Sequence, residues 1–66
     1  MDIDTIPAHL TFKNLNFVLS WTTIGKSTLH AMVASGTFPK PVRMGRRRVA
    51  WRWSDLQTWA ENRVSE

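Results

Sequence analysis

Two prolines in the middle of the chain set the strongest limit on its fold. Pro39 and Pro41 stand in the run Phe38-Pro39-Lys40-Pro41. Each proline fixes its own φ angle and biases the residue before it away from helical geometry. The run therefore forces an extended segment, and any helix in the first half of the chain has ended before it.

Two short amphipathic helices are predicted before this segment. Asn14 is a favoured N-cap, and the apolar spacing i, i+3, i+4, i+7 after it predicts a first helix. The turn Thr22-Thr23-Ile24-Gly25 then leads into a second helix from Lys26 to Ser35, with Gly36 as a left-handed C-terminal cap. Such a pair is a helix-turn-helix unit, whose second helix enters the major groove in DNA-binding proteins. The predicted inward residues are Leu15, Val18, Leu19 and Thr22 in the first helix and Leu29, Met32 and Val33 in the second.

A β-hairpin and a third helix are predicted after the prolines. Val42 to Met44 and Arg48 to Trp53 have the pattern of two short strands around Gly45-Arg46-Arg47. The run Ser54-Asp55-Leu56-Gln57 has a capping-box pattern and predicts the start of the third helix. The expected fold class is mainly α with a small β-hairpin, a winged helix-turn-helix with a two-stranded wing and a C-terminal helix. We place Val42, Met44, Val49 and Trp51 on one face of the hairpin, and Leu56, Trp59 and Ala60 on the inner side of the third helix.

Length and composition indicate one small domain. The chain has 66 residues, no cysteine and four tryptophans, so its core depends on a few large side chains without disulfides. Residues 1–10 contain Pro7 and show no clear period, and we expect a flexible or loosely docked N-terminal arm. Residues 11–66 are expected to form a single winged-helix domain.

The charges are distributed unevenly along the chain. No carboxylate side chain occurs between Asp4 and Asp55, and of the nine Lys and Arg residues all but Arg63 lie in this acid-free segment. The formal net charge is +4 and the pI is about 10.8. Lys and Arg that neutralise phosphates release condensed counterions, which drives association with a polyanion. Nucleic acid is the natural partner of such a chain, although a charge run can also be a solvated surface.

The predicted elements give two groups of candidate DNA-binding residues and one candidate protein contact. The outer face of the second helix carries short or polar side chains, and the hairpin and its flanks carry the densest cations. Phe17 and Trp21 lie one turn apart on the side of the first helix away from its predicted core face, and we interpret them as an exposed apolar patch or as residues that pack under the N-terminal arm. The recognition-helix candidates are Lys26, Ser27, Thr28, His30 and Ala31, and the wing candidates are Lys40, Arg43, Arg46, Arg47, Arg48 and Arg52.

Other chemistry finds little support in the sequence. Gly25-Lys26-Ser27 is similar to the end of a P-loop, but Ser20 occupies the position of its first glycine. His9 and His30 are far apart, and the acid-free segment offers no carboxylate to complete a metal site. We expect no enzymatic activity, no cofactor and no small-molecule ligand. Trp51, Trp53 and Trp59 could stack on unpaired bases, but core positions are favoured for Trp51 and Trp59.

The order of these motifs resembles the AlpA family of small prophage regulators. The resemblance runs from Leu15 to Arg63 through Ser27-Thr28-Leu29 in the second helix, Gly36-Thr37-Phe38-Pro39-Lys40-Pro41-Val42 in the bend, and Ala50-Trp51-Arg52 after the basic hairpin. It implies a winged-helix or MerR-like DNA-binding fold and a regulator of phage genes or an excisionase that directs an integrase towards excision. This sequence has Gly25 where relatives usually have a serine helix cap.

The leading hypothesis is a cytoplasmic, nucleoid-associated protein that binds double-stranded DNA sequence-specifically, alone or with a phage integrase or another copy of itself. Its rival is an interaction module that docks an integrase or a polymerase subunit without reading DNA. A membrane-active cationic segment is a further alternative, but the capped helices favour a folded domain, no run is long enough to span a membrane, and we expect no membrane partner.

Overall fold

The structure is a computed structural model that describes residues 6–64. Three helices and a small antiparallel sheet form the fold, which confirms the predicted mainly α class with a helix-turn-helix and a wing. A 3-10 helix at Ala8–Leu10 precedes the main elements. These are β1 Phe12–Asn14, α1 Leu15–Thr22, α2 Lys26–Ser35, β2 Val42–Arg43, β3 Val49–Arg52 and α3 Trp53–Val64.

The first two helices have the predicted bounds because their caps are encoded locally. The Asn14 side chain accepts a hydrogen bond from the Phe17 N–H at 2.8 Å and starts α1. Gly36 ends α2 with a φ of 83°, and its N–H donates to the Val33 carbonyl at 3.2 Å. The Thr37 N–H donates to the Met32 carbonyl at 2.9 Å, which completes a Schellman motif.

The sheet has three strands in the order β1-β3-β2, not only the two of the predicted wing. Phe12 pairs with Arg52 and Asn14 with Ala50 in an antiparallel ladder. Three residues are too few for side-chain alternation to identify a strand, so β1 depends on its pairing with β3. The sheet therefore joins the start of the described chain to the hairpin.

The four residues that the sequence places on one face of the hairpin lie on two opposite faces. Val42 pairs with Ala50 and therefore shares a face with Ala50, while Val49 and Trp51 lie on the other face. Met44 donates from its N–H to the Arg48 carbonyl at 2.8 Å, and its side chain is 50% exposed. Alternation in the sequence shows which residues of one strand share a face. The register between the strands decides which residues of the two strands lie on the same face of the sheet.

The core lies between the helices and one face of the sheet, and Trp51 is one of its two large rings. Its ring packs edge-on against Phe38, with centroids 6.2 Å apart, and its Nε1–H donates to the Pro39 carbonyl at 2.8 Å. The proline segment is thereby fixed against the sheet. The buried core residues are Val18, Leu29, Phe38, Trp51 and Leu56.

Of the two interpretations of Phe17 and Trp21, an exposed apolar patch and packing under the N-terminal arm, the structure contradicts the first. Both side chains are half-buried and belong to an aromatic cluster with Trp53 and Trp59 of α3. The Trp21 ring centroid lies 5.3 Å from that of Trp53 and 6.0 Å from that of Trp59. Helix α1 is therefore covered on both sides, since Val18 faces the core and Phe17 and Trp21 face α3.

Helix α3 begins at Trp53, two residues before Asp55, the first helical residue that the capping pattern with Ser54 as N-cap predicts. The Trp53 N–H donates to the Thr11 carbonyl at 2.7 Å, so the N-terminal segment supplies a partner for the first turn. Leu56 is buried and Trp59 and Ala60 are half-buried, which confirms the predicted inner side of this helix.

The predicted N-terminal arm is described in part. Residues 1–5 of the arm and residues 65–66 of the predicted domain lie outside the described residues. Within the described part, Ala8–Leu10 forms the 3-10 helix and has no buried side chain. The guanidinium of Arg52 donates to the His9 carbonyl, which fastens this segment to β3.

Candidate nucleic-acid interface

The outer face of α2 is exposed because the opposite side of the helix is anchored in the core. Leu29 is 1% exposed, and Met32 and Val33 pack against the core beside it. All five recognition-helix candidates of the sequence are exposed. We call this set the reading face, and it comprises Lys26, Ser27, Thr28, His30 and Ala31.

The reading face lies next to the base of the hairpin. An apolar cleft of about 170 Å³ separates the two, with His30 of α2 and Val49 of β3 in its lining. Arg43 pairs with Val49 across the hairpin and shares its face. The helix and the hairpin therefore belong to one surface. The remaining lining residues of this cleft are Leu15, Leu29, Val33, Pro41 and Trp51.

The hairpin carries four arginines that have no internal partner in residues 6–64. Arg43, Arg46, Arg47 and Arg48 are exposed. None of their guanidinium groups makes a hydrogen bond or ion pair within the part of the chain that the structure describes. These side chains can therefore meet phosphates without first giving up an internal partner.

Arg52 occupies a different place from the other hairpin arginines. It is half-buried, its guanidinium donates to the His9 carbonyl, and its Cζ lies 5.2 Å from the centre of the Phe12 ring. Strand alternation puts Arg52 on the face opposite Val49 and Trp51. Arg52 therefore holds the N-terminal segment and does not extend the cationic loop.

Lys40 also lies apart from the reading face. Its side chain is exposed and lines a shallow groove together with Asp55 and Trp59 of α3. The cleft between α2 and the hairpin does not include it. The predicted wing and flank set thus divides. Arg43 shares the face of Val49 at the cleft, Arg46 and Arg47 lie in the exposed turn, and Arg48 lines a second pocket with Asn14 and Met44, while Lys40 and Arg52 lie elsewhere.

Sequence reasoning missed the role of one cation, Lys13. Its Nζ lies 4.7 Å from the centroid of the Phe17 ring and 5.3 Å from that of Trp53. The ammonium is attracted by the negative ring faces and covers one side of the aromatic cluster. The spacing of four residues between Lys13 and Phe17 is the one sequence signal for this contact. It is a weak signal because such spacing brings side chains together within one helix, whereas Lys13 belongs to strand β1.

Two features are absent from residues 6–64, a cluster of metal-binding side chains and a membrane-spanning helix. No group of three or more His, Cys, Asp or Glu side chains is arranged there to hold a metal ion. No helix within residues 6–64 has the length and apolar character needed to cross a membrane.

Comparison with known proteins gives one family and one phage relative. The family described as "Prophage CP4-57 regulatory protein (AlpA)" matches residues 13–64, from β1 to α3. An "Uncharacterized protein ORF88" of Enterobacteria phage P4 is 31% identical over 42 residues, which are 64% of this chain. The chain spans about half (48%) of that relative's length. No solved structure matches the chain significantly.

Proposed function

Since the chain belongs to the AlpA family of prophage regulatory proteins, we propose that it acts by binding double-stranded DNA in a sequence-specific manner. In this proposal α2 enters the major groove, and the hairpin loop contacts the phosphates beside it or enters the adjacent minor groove. The protein then regulates phage genes, directs an integrase towards excision, or does both.

The observation that supports this proposal is the surface that α2 shares with the hairpin. The cleft lined by His30 and Val49 connects the side of α2 to the base of the hairpin, and the hairpin carries four exposed arginines. Phosphate contacts position a protein on the duplex, and side chains on base edges give specificity. In this proposal the exposed face of α2 supplies the base contacts and the arginines of the hairpin supply the phosphate contacts.

The size of the domain indicates how such a protein would work. A single small module buries little surface on DNA, and its reading face offers short side chains, so one copy should have modest specific affinity. We therefore propose binding to repeated sites, in which several copies, or one copy and an integrase, act together. Such an arrangement can occupy a promoter or bend DNA into a recombination complex.

The proposal is tested with gel shifts on two natural duplexes. These are the region upstream of the protein's own gene and the attachment site of the phage that carries it, measured at low and at moderate salt with a shuffled duplex as the control. We expect at least one natural duplex to bind more tightly than the shuffled one at both salt concentrations.

Equal binding to all three duplexes would leave only non-specific association and contradict the sequence-specific role. Absence of binding to any duplex would favour the rival interaction module. The direct test of that rival would be whether the protein binds an integrase or a polymerase subunit in the absence of DNA. Tight binding to the upstream duplex alone would support transcriptional regulation. Tight binding to the attachment-site duplex alone would support a role in excision.

A further inference from the structure

The reading face has an unusual shortage of side chains that bind base edges in pairs of hydrogen bonds. Helix α2 has the sequence KSTLHAMVAS and contains no Arg, Asn, Gln, Asp or Glu. Together with lysine, which occurs in α2 at Lys26 alone, those residue types make the hydrogen bonds that distinguish guanine, adenine and cytosine in the major groove. Lys26 and His30 are the only long donors, so the centre of the face must read DNA by other means.

Methyl groups occupy that centre. Thr28 and Ala31 are both exposed and stand three residues apart, which makes them neighbours on the helix surface. The Thr28 hydroxyl has no hydrogen-bond partner within the described residues, whereas the hydroxyls of Thr22 and Thr58 each donate to the carbonyl four residues earlier. The Thr28 side chain is therefore not tied to its own helix.

The cleft on the His30 side of α2 is also apolar, and the hairpin that forms its other wall is cationic. This cleft is lined by Val33, Pro41 and Val49 beside His30, and the exposed Arg43 shares the hairpin face of Val49. This charge selects a polyanion as the molecule that covers the surface. In the major groove of a duplex, the apolar group at the base edges is the C5-methyl of thymine.

We propose that Thr28 and Ala31 recognise thymine through its 5-methyl group, so that the target site has thymine at the positions facing these residues. This inference rests on the proposed function and adds the chemical basis of its specificity. His30 and Lys26 then supply the polar contacts at the sides of the methyl pair.

The test removes one methyl group at a time from the DNA. A preferred duplex is selected by the full chain from a random-sequence pool, and each thymine in it is replaced singly by deoxyuridine, which lacks only the 5-methyl. Burial of one such group corresponds to about a fourfold change in affinity. We expect a loss of about that size at one or two positions and no change at the other thymines.

Matched variants identify the protein partner of each methyl. Thr28→Ser keeps the hydroxyl and removes the methyl, so deoxyuridine should have no further effect at the position facing Thr28. Thr28→Val keeps a methyl and should retain the deoxyuridine effect. Thr58→Ser in α3 removes a methyl outside the surface and should behave as the wild type.

Ala31→Gly should abolish the deoxyuridine effect at the second position, the one facing Ala31. Ala34→Gly is its control, because it lowers the helix propensity of α2 by the same amount.

The outcomes separate this inference from the proposed function. Methyl recognition is overturned if the selected site lacks thymine at the reading face, or if every deoxyuridine duplex binds as tightly as its parent. Either result leaves sequence-specific binding intact. A deoxyuridine effect that persists in full in both Thr28→Ser and Ala31→Gly also overturns it. If no sequence is enriched from the pool, both proposals fail.

Discussion

Alanine at Arg46, Arg47 or Arg48 is expected to reduce the salt dependence of DNA binding. All three side chains are exposed in the hairpin loop and make no hydrogen bond or ion pair within the described residues. A guanidinium that contacts one phosphate releases condensed counterions, and its loss lowers the slope of log affinity against log salt by about 0.9. A purely electrostatic contact of this kind should weaken preferred and shuffled duplexes alike.

The magnitude follows from the number of free cations. Between about 50 mM and about 200 mM salt, a slope change of about 0.9 alters the ratio of wild-type to variant affinity by about 3.5-fold. If each of the three arginines contacts one phosphate, the triple variant changes this ratio by about 40-fold. Fluorescence anisotropy titrations of a labelled duplex at four or more salt concentrations give the slopes directly.

Two variants with the same loss of charge serve as controls. Arg63 lies on α3, with its Cζ 4.9 Å from the centre of the Trp59 ring, and Arg63→Ala should leave the slope unchanged. Arg52→Ala should also preserve the slope, but lower the free energy of unfolding by about 2 kcal/mol, because the His9 carbonyl and the Phe12 ring lose their partner. The reasoning is refuted if Arg63→Ala changes the slope as much as a hairpin variant does, or if the hairpin variants weaken binding equally at every salt concentration.

Two further predictions concern stability, and both are measured by urea denaturation. Gly36→Ala should lower the free energy of unfolding by about 1 kcal/mol because the φ of 83° suits glycine, whereas Gly25→Ser should raise it by about 0.3 kcal/mol by adding the missing N-cap acceptor. The same sign for both changes would contradict the cap assignment. Trp21→Ala should cost about 3 kcal/mol, the low end for a large aromatic because the ring is half-buried, and should leave the salt slope of DNA binding unchanged. A Trp21→Ala protein that keeps its stability but binds protein partners with lower affinity would instead support the exposed-patch interpretation.

The parts of the fold that the sequence predicts are those encoded by nearby residues. Asn14 and its contact with the Phe17 N–H lie within one helical turn, and the Gly36 cap involves carbonyls three and four residues before it. The rigid φ angles of Pro39 and Pro41 are likewise local. Helix bounds and the extended bend therefore need no knowledge of the tertiary structure.

The parts that the sequence does not predict depend on partners far along the chain. Strand β1 pairs with β3, and the paired residues are 36 to 40 positions apart in the chain, from Asn14 with Ala50 to Phe12 with Arg52. Phe17 and Trp21 look like an external patch because a helical wheel shows which side chains share a face but not what covers that face. Their cover is α3, whose Trp53 and Trp59 complete the aromatic cluster.

The candidate site shows the same division, because sequence gives the position of a charge but not its engagement. Arg48 and Arg52 are four residues apart in one basic run, yet Arg48 is exposed in the loop and Arg52 is bound to the His9 carbonyl. Lys13 is likewise occupied by the Phe17 and Trp53 rings. The net charge of the acid-free segment therefore overstates the cations available to DNA. Lys40 is exposed but lies in the groove beside Asp55, apart from α2. A salt slope that matches the other five cations, Lys26 and the four free arginines, is what this distribution requires.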